Sequence, residues 1–174
     1  MTTATADDDG ALLDLVAQGD RVALRTLYDR HAGWLMARLA RRCADGDIVD
    51  SAVQDTFVAV WRKPTSYAGT GEVAAWLWGI AIRRLIDQLR RQPRPTVPLD
   101  DVQLPAEEQI LLGIEHGDLA DALNRLSPEL RAVVQATVLD GLTTKEAATL
   151  LGIPQGTVKT RMMRVRPQLR EALA

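Results

Sequence analysis

Apolar side chains recur along this chain at intervals of three and four residues, and nowhere do they alternate with polar ones over a sustained run. Because an α-helix repeats every ~3.6 residues and a β-strand every second residue, this spacing predicts helices and no strands. The predicted helices form two groups, and the expected fold class is all-α. They span residues 11–18, 21–43, 48–62 and 73–91 in the first group, and 117–125, 128–140, 144–151 and 155–171 in the second.

A segment rich in proline separates the two groups of helices. Proline fixes φ and removes a backbone donor, so we expect this segment to be an extended linker. The charge changes at the same place, since residues 92–108 carry net −3 while 11–91 and 109–174 carry net +3 and +1. The expected organisation is an acidic tail at 1–10, a small helical domain at 11–91, the linker at 92–116 and a second small helical domain at 117–174.

Three local signals mark where helices begin. Asp20 is a predicted N-cap, because a short polar side chain can accept a hydrogen bond from the free N–H groups of a first turn. Ser127 precedes Pro128, a residue favoured at the first helical position. Thr143 and Glu146 have the spacing of a capping box.

Composition excludes several classes of protein. Of the 174 residues 47% are hydrophobic, which suffices for packed cores, and net charge −2 excludes a uniformly basic surface but not a basic face. The lone Cys43 excludes disulfides and a cysteine zinc site and is interpreted as a core residue rather than a redox sensor. His31 and His116 are unpaired in the sequence, so no metal or cofactor is expected. With no signal peptide and no apolar stretch that could cross a bilayer, we expect a cytoplasmic protein without membrane insertion.

Residues 144–170 have the layout of a helix-turn-helix. Small Ala148 permits a close helix crossing, Gly152 supplies a left-handed turn position, and Val158 can pack back on the first helix. The second helix separates into two sides. Val158, Met162, Val165 and Leu169 share the inner side, and Lys159, Thr160, Met163 and Arg164 share the outer side. Five basic residues and no acid between 157 and 170 suit DNA phosphates, although a solvated face on a packing helix remains the alternative.

The first group of helices carries two further candidate surfaces. Helix 48–62 is expected to bury Val49, Val53, Phe57, Val60 and Trp61. Its other side presents Asp47, Asp50, Gln54 and Asp55, which indicate either favourable interactions with the helix dipole or a docking face for a basic partner. The second surface lies on helix 73–91, where aromatic and arginine side chains are typical of single-strand binding, unless the aromatics are core and the arginines solvated. These residues are Trp76, Trp78, Arg83, Arg84, Arg90 and Arg91.

Several runs of residues resemble one protein family. Val53-Gln54-Asp55-Thr56-Phe57, Trp76-Leu77 and Ile86-Asp87-Gln88-Leu89-Arg90-Arg91 resemble region 2 of bacterial sigma factors. Leu126-Ser127-Pro128, Asp140-Gly141-Leu142 and the run Gly152 to Arg161 resemble region 4. The chain therefore resembles an extracytoplasmic-function, or group IV, sigma factor.

The resemblance implies an alternative sigma factor that is not an enzyme and directs core RNA polymerase to promoters. The second domain would read the −35 element and lie near the β flap. The implied −35 contacts are Thr157, Lys159, Thr160, Arg161, Met163 and Arg164. The first domain would dock on the clamp coiled coil of β′ and open the −10 element, with the loop 67–73 trapping a base. The implied docking residues are Asp50, Gln54 and Asp55, and the implied −10 contacts are Tyr67, Glu72, Trp76, Arg83, Arg84, Arg90 and Arg91.

The resemblance also implies an anti-sigma factor as a partner, and a linker that threads the channel later filled by RNA. Two alternatives come from other classes. A stand-alone helix-turn-helix regulator would bind duplex DNA tightly without polymerase and would need a dimerisation helix. A helical adaptor that binds only protein would not need the acid-free stretch from 159 to 170.

Overall fold

The chain folds as two compact units, Met1–Pro93 and Arg94–Ala174. The computed structural model describes residues 8–92 and 117–172, with side chains from 8 to 92 and from 121 to 171. All regular structure in these residues is helical, as the apolar spacing predicts, and they include no strand. Within the same ranges, no helix has the length and apolar character needed to span a membrane.

Some expectations fall on residues outside these ranges. They concern the tail up to residue 7, His116, and the linker apart from Gln92. The placement of the linker in an RNA channel and the division of the chain into four segments therefore stay predictions.

Residues 8–92, the described part of the first unit, form four α-helices and one 3-10 turn. They are α1 (Asp9–Ala17), α2 (Arg21–Ala40), α3 (Gly46–Arg62), the 3-10 turn Pro64–Ser66 and α4 (Val73–Arg91). Asp20 caps α2 as predicted, accepting hydrogen bonds from the N–H groups of Val22 and Ala23. α1 and α3 begin two residues earlier than predicted, because Asp8 and Asp45 cap them in the same way.

α2 ends earlier than the predicted residue 43. Its last regular residue is Ala40, and the N–H groups of Arg42 and Cys43 both turn back to the carbonyl of Leu39. Cys43 is 6% exposed, which agrees with its interpretation as a core residue.

The core of the first unit lies between α2, α3 and α4. Phe57 packs its ring edge-on against Tyr28, with 4.9 Å between the ring centroids. The predicted core positions Val49, Val53, Phe57 and Val60 of α3 are all buried. The largest fully buried side chains of this unit are Leu27, Leu35, Leu39, Val53, Val60, Leu77, Ile82, Leu85 and Ile86.

A polar contact fastens α1 to α2. Nε2 of buried His31 lies 2.6 Å from the carboxylate of Asp9, and its Nδ1 accepts a hydrogen bond of 2.9 Å from the indole N–H of Trp34. Both ring nitrogens are thus engaged within the protein. Among the described residues, no group of three or more His, Cys, Asp or Glu side chains could hold a metal ion.

The described residues of the second unit, 117–172, form four α-helices and a π-helical segment. They are α5 (Gly117–Arg125), α6 (Pro128–Val134), the π segment Gln135–Leu139, α7 (Thr144–Leu151) and α8 (Gln155–Ala172). The prediction of a single regular helix over 128–140 is wrong, because its second half widens into the π segment. Val138 in this segment is 61% exposed. Apolar spacing cannot distinguish an α-turn from one π-turn, since both keep apolar side chains on one side.

One apolar cluster holds the second unit together. Its buried members are Leu123, Leu126, Val134 and Val165, and Leu130, Leu139, Met162 and Leu169 pack against it. Arg131 closes the end of α5, because its guanidinium donates hydrogen bonds to the carbonyls of Leu123, Asn124 and Leu126 at 3.1, 2.8 and 3.0 Å. The cluster therefore positions α8 against the other helices, and the arginine joins α6 to the end of α5.

Candidate nucleic-acid interface

The turn between α7 and α8 has the geometry of a helix-turn-helix. Thr143 and Glu146 form the predicted capping box at the start of α7. Gly152 ends α7 at φ 63°, a left-handed conformation that disfavours residues with a Cβ. The amide of Gln155 donates a 2.8 Å hydrogen bond to the hydroxyl of Thr144, so the first turns of the two helices are joined. These contacts fix the angle at which α8 leaves the turn.

The inner side of α8 matches the prediction. Val158 and Val165 are buried, and Met162 and Leu169 are partly buried against the apolar cluster. Met162 also packs against α6 and the π segment, where its sulfur lies 3.3 Å from the hydroxyl of Thr137. The opposite side of α8 is therefore left facing solvent.

The solvent side of α8 is uncharged along its middle. One residue per turn defines a central stripe, which consists of Gly156, Thr160, Met163 and Pro167. All four are exposed, Met163 to 71%. Exposed cations border the stripe, namely Lys159, Arg166 and Arg170 along one edge and Arg164 along the other. This pattern of charges is complementary to a groove whose walls are negatively charged.

Three of the −35 candidates have contacts within the unit. Thr157 is half-buried. The hydroxyl of Thr160 donates a 2.9 Å hydrogen bond to the carbonyl of Gly156. Arg161 is 21% exposed, and its guanidinium lies 3.7 Å from the carboxylate of Glu129. Lys159, Met163 and Arg164 are exposed, as is Thr160.

In the first unit, the loop before α4 is closed by one of the −10 candidates. The hydroxyl of Tyr67 donates a 2.6 Å hydrogen bond to the carbonyl of Gly71, and its ring lies 5.6 Å from that of Trp76. Gly69 and Gly71 have φ values of 74° and 77°, which let the loop fold back in so few residues. The exposed Glu72 follows at the N-cap position of α4 without capping it. The structure thus brings Tyr67 and Trp76 together at one end of α4.

The two tryptophans of α4 have different environments. Trp76 is half-buried beside Tyr67 and keeps part of its ring in solvent. Trp78 is 4% exposed, and the guanidinium of Arg38 stacks over it at 4.0 Å from the ring centroid. Apolar spacing alone did not separate these two roles, and the buried arginine gave no signal in the sequence.

The arginine pairs of α4 lie on its solvent side. Arg83, Arg90 and Arg91 are exposed and Arg84 is half-buried. Arg84 and Arg90 each approach Asp87 at 3.8 Å. The structure therefore supports the placement of these arginines away from the core, although Asp87 partly neutralises the charge of Arg84 and Arg90.

The predicted docking face on α3 is less open than expected. Asp50 accepts a 2.9 Å hydrogen bond from the exposed Gln54. Asp55 accepts a 3.0 Å hydrogen bond from Gln88 of α4, so this carboxylate serves as a contact between two helices. Only Gln54 of the three candidates is fully exposed.

An apolar groove that sequence reasoning missed lies beside Gln54. It has a volume of about 460 Å³ and runs between α2 and α3. The prediction that Trp61 is buried is wrong, because its side chain is 36% exposed at the groove, next to Val58 at 46%. Helical spacing placed Trp61 on the edge of the apolar side, and only the position of α2 decides whether such a residue is covered. The lining residues are Arg21, Leu24, Tyr28, Gln54, Phe57, Val58 and Trp61.

The two units match two family models in chain order. Residues 27–94 match sigma-70 region 2, and residues 116–169 match sigma-70 region 4. The chain is 35% identical over 170 residues to the ECF RNA polymerase sigma factor SigM of Mycobacterium tuberculosis, covering 95% of this chain and 84% of the relative. It is 34% identical over 152 residues to SigL of the same organism, covering 84% and 86% of the two chains.

One of the solved structures that the chain matches is that of CnrH in complex with the cytosolic domain of CnrY. The sequence identity is 30%, the TM-score is 0.45, and the match covers 95% of this chain and 96% of that one.

Proposed function

The chain belongs to the extracytoplasmic-function sigma factors of bacterial RNA polymerase, and from this premise we propose the surfaces with which it performs each step of initiation. It acts with core RNA polymerase and directs the enzyme to a particular class of promoter. The synthesis of RNA belongs to the polymerase, so the chain itself needs no catalytic residue. Its place of action is the cytoplasm, where the polymerase meets the chromosome.

The second unit reads the −35 element through α8. The observation that carries this assignment is the central stripe of α8, bordered by cations on both edges and by no acid from 155 to 170. A helix of this kind fits the major groove, where its edges approach the phosphates and its middle approaches the bases. Thr157, Lys159, Thr160, Met163 and Arg164 lie where they can take part. Arg161 joins them at phosphate if it leaves Glu129.

The first unit opens the −10 element beside the loop closed by Tyr67. The half-buried ring of Trp76 offers a surface on which an unpaired base can stack. Glu72 stands at the same end of α4 and is available to a base edge. Arg83, Arg84, Arg90 and Arg91 follow along the helix and would neutralise the phosphates of the displaced strand. Extruding a base from the duplex costs a few kcal/mol, which stacking and phosphate contacts offset.

The docking of core polymerase uses α3 and the apolar groove next to it. Asp50 and Gln54 supply a polar edge, and Val58 and Trp61 supply exposed apolar surface. Such a centre with a polar rim is the usual composition of a protein interface. The occupant on the polymerase is the β′ clamp coiled coil, while the second unit lies near the β flap. Asp55 contributes through its hold on Gln88 of α4.

An anti-sigma factor controls the chain by covering the surfaces that bind core polymerase. Polymerase and inhibitor would then compete for the same residues, so that binding of one excludes the other.

Initiation by the purified chain with core polymerase on fragmented genomic DNA tests the proposal. We expect discrete RNA 5′ ends that appear only with the chain and share two upstream elements at a fixed spacing. Arg164→Ala should weaken promoter use and leave co-elution with core polymerase unchanged, because the exposed Arg164 belongs to α8 alone. A chain that binds duplex DNA tightly by itself and does not co-elute with polymerase would instead be a stand-alone regulator.

A further inference from the structure

Met163 is an exposed hydrophobic side chain in the middle of a face that is otherwise polar. It is 71% exposed, whereas its neighbour Met162 is partly buried against the core of the second unit. Leaving a large apolar side chain in water forgoes the free energy of its burial, and the packing of the second unit gives no reason for it. Its position between Lys159, Arg166 and Arg170 on one edge and Arg164 on the other indicates that its ligand is negatively charged on both flanks and apolar in the centre.

Duplex DNA has this arrangement in its major groove. The phosphates of the two strands border the groove, and the one apolar group on the base edges in it is the C5-methyl group of thymine. Met163 lies on the central stripe of α8, where a helix inserted in the groove comes nearest to the bases. A protein partner would also bury a methionine, but cations on both edges of the stripe, with no acid from 155 to 170, match the phosphates on both sides of a groove better.

Thr160, one turn before Met163, adds to the apolar character of the stripe. Its hydroxyl already donates a hydrogen bond of 2.9 Å to the carbonyl of Gly156. The hydrogen is therefore engaged within α8, and the side chain offers a base its methyl group and an accepting oxygen. This favours thymine contact over recognition of a base-edge acceptor at this step.

We propose that Met163 recognises the C5-methyl group of a thymine in the −35 element, with Thr160 beside it, so that this chain requires an A·T pair at that register. The proposal rests on the proposed function and specifies what one residue of the site reads. Lys159 and Arg164, on either side of Met163, read or hold the neighbouring positions as cations.

The test uses core polymerase carrying the full chain and a pool of duplexes randomised through the upstream element of a mapped promoter. Selected duplexes are sequenced, and the best one is synthesised again with deoxyuridine in place of thymidine at each enriched position. Deoxyuridine pairs as thymidine does and lacks only the methyl group. Binding of the wild type should weaken about fourfold at one position, the factor expected for one buried methyl group.

Three variants isolate the contribution of Met163. Met163→Gln should lose the A·T enrichment at that position and become indifferent to the deoxyuridine substitution. Met163→Leu should keep both, because its side chain remains apolar. Gln168→Ala, an exposed change on the same helix outside the central stripe, should behave as the wild type. Unchanged far-UV circular dichroism checks that each variant is folded.

Two results would overturn the proposal. One is a wild type that binds deoxyuridine and thymidine duplexes equally at every enriched position. The other is a Met163→Gln variant that keeps the full deoxyuridine penalty, since another residue would then contact the methyl group. A pool that the chain enriches no more than core polymerase alone does is a different failure, because it removes the proposed function as well.

Discussion

The guanidinium of Arg161 lies 3.7 Å from the carboxylate of Glu129, so an ion pair joins α8 to α6 at the edge of the face assigned to DNA. Arg161 is 21% exposed and Glu129 is 65% exposed, which makes this a pair at the surface. Of the cations on α8, Arg161 is thus held by its own unit in the absence of DNA, whereas Arg164 is exposed.

We therefore expect Arg161→Ala and Arg164→Ala to differ in a salt titration of promoter binding by the holoenzyme. Arg164→Ala should reduce the slope of log affinity against log salt by about one, the effect of one lost phosphate contact. Arg161→Ala should change the slope less and lower the free energy of unfolding by about 0.5 kcal/mol, the typical contribution of an exposed ion pair. Equal changes of slope would mean that Arg161 leaves Glu129 for a phosphate.

The apolar groove leads to a prediction about polymerase binding. Val58→Asp places a charge among apolar groove residues, and its desolvation in an interface should weaken binding to core polymerase by tenfold or more, or about 1.5 kcal/mol. Val22→Asp is the matched control, because Val22 is 74% exposed on α2 and does not line the groove. Fluorescence anisotropy of labelled chain titrated with core polymerase measures both. Equal losses in the two variants would refute the groove as the docking site.

The hydrogen bond from Tyr67 to Gly71 should matter for promoter opening. Tyr67→Phe keeps the ring beside Trp76 and removes the hydroxyl that closes the loop. Loss of one such hydrogen bond is worth about 1 kcal/mol, so we expect about a fivefold smaller fraction of open promoter. Permanganate reactivity of thymines in the melted region measures it, and binding to core polymerase should not change. Thr70→Ala, in the exposed part of the same loop, serves as the control; the hydroxyl has no such role if both variants open promoters equally.

Arg131 should contribute strongly to the stability of the second unit. Arg131→Met removes the donors that satisfy three carbonyls at the end of α5, and we expect a loss of about 2 kcal/mol. Arg125→Met, an exposed change in the last turn of α5, should cost less than half as much. Urea unfolding followed by far-UV circular dichroism gives the comparison.

Tryptophan fluorescence adds a control for this experiment. Trp34, Trp61, Trp76 and Trp78, the four tryptophans of the chain, all belong to the first unit. The fluorescence transition of Arg131→Met should therefore stay where it is in the wild type. A shift of that transition would show that the arginine stabilises more than its own unit.

Features that depend on a few neighbouring residues could be predicted from the sequence. The cap at Asp20, the capping box at Thr143 and Glu146, and the left-handed Gly152 involve contacts within one turn of chain, and all three are confirmed. The inner side of α8 was predictable as well, because Val158 and Val165 repeat at helical spacing. The central stripe could be predicted in the same way, because it lies on the opposite side of α8 and has the same helical spacing.

Features that depend on the packing of distant helices could not be predicted. Trp61 lies at the border of an apolar side, and its exposure is decided by where α2 ends up. Arg38 is an ordinary cation in the sequence, yet it is 6% exposed over Trp78. The resemblance implied Asp55 as a docking residue, and its hydrogen bond from Gln88 of α4 gave no signal in the sequence. The environment of each of these residues is set by contact with a residue that is distant in the sequence.

The π segment Gln135–Leu139 has a consequence for how this region tolerates changes of length. A π-turn accommodates one residue more than an α-turn, and here it displaces Val138 outward while Leu139 remains against the core. The N–H of Asp140 reaches the carbonyl of Gln135, five residues back, and that of Leu142 reaches the carbonyl of Ala136, six residues back, so the chain stays hydrogen-bonded through the widened turn. Deletion of Val138 should therefore restore a regular helix and leave α8 in place, so this segment is where the second unit should best tolerate the loss of one residue.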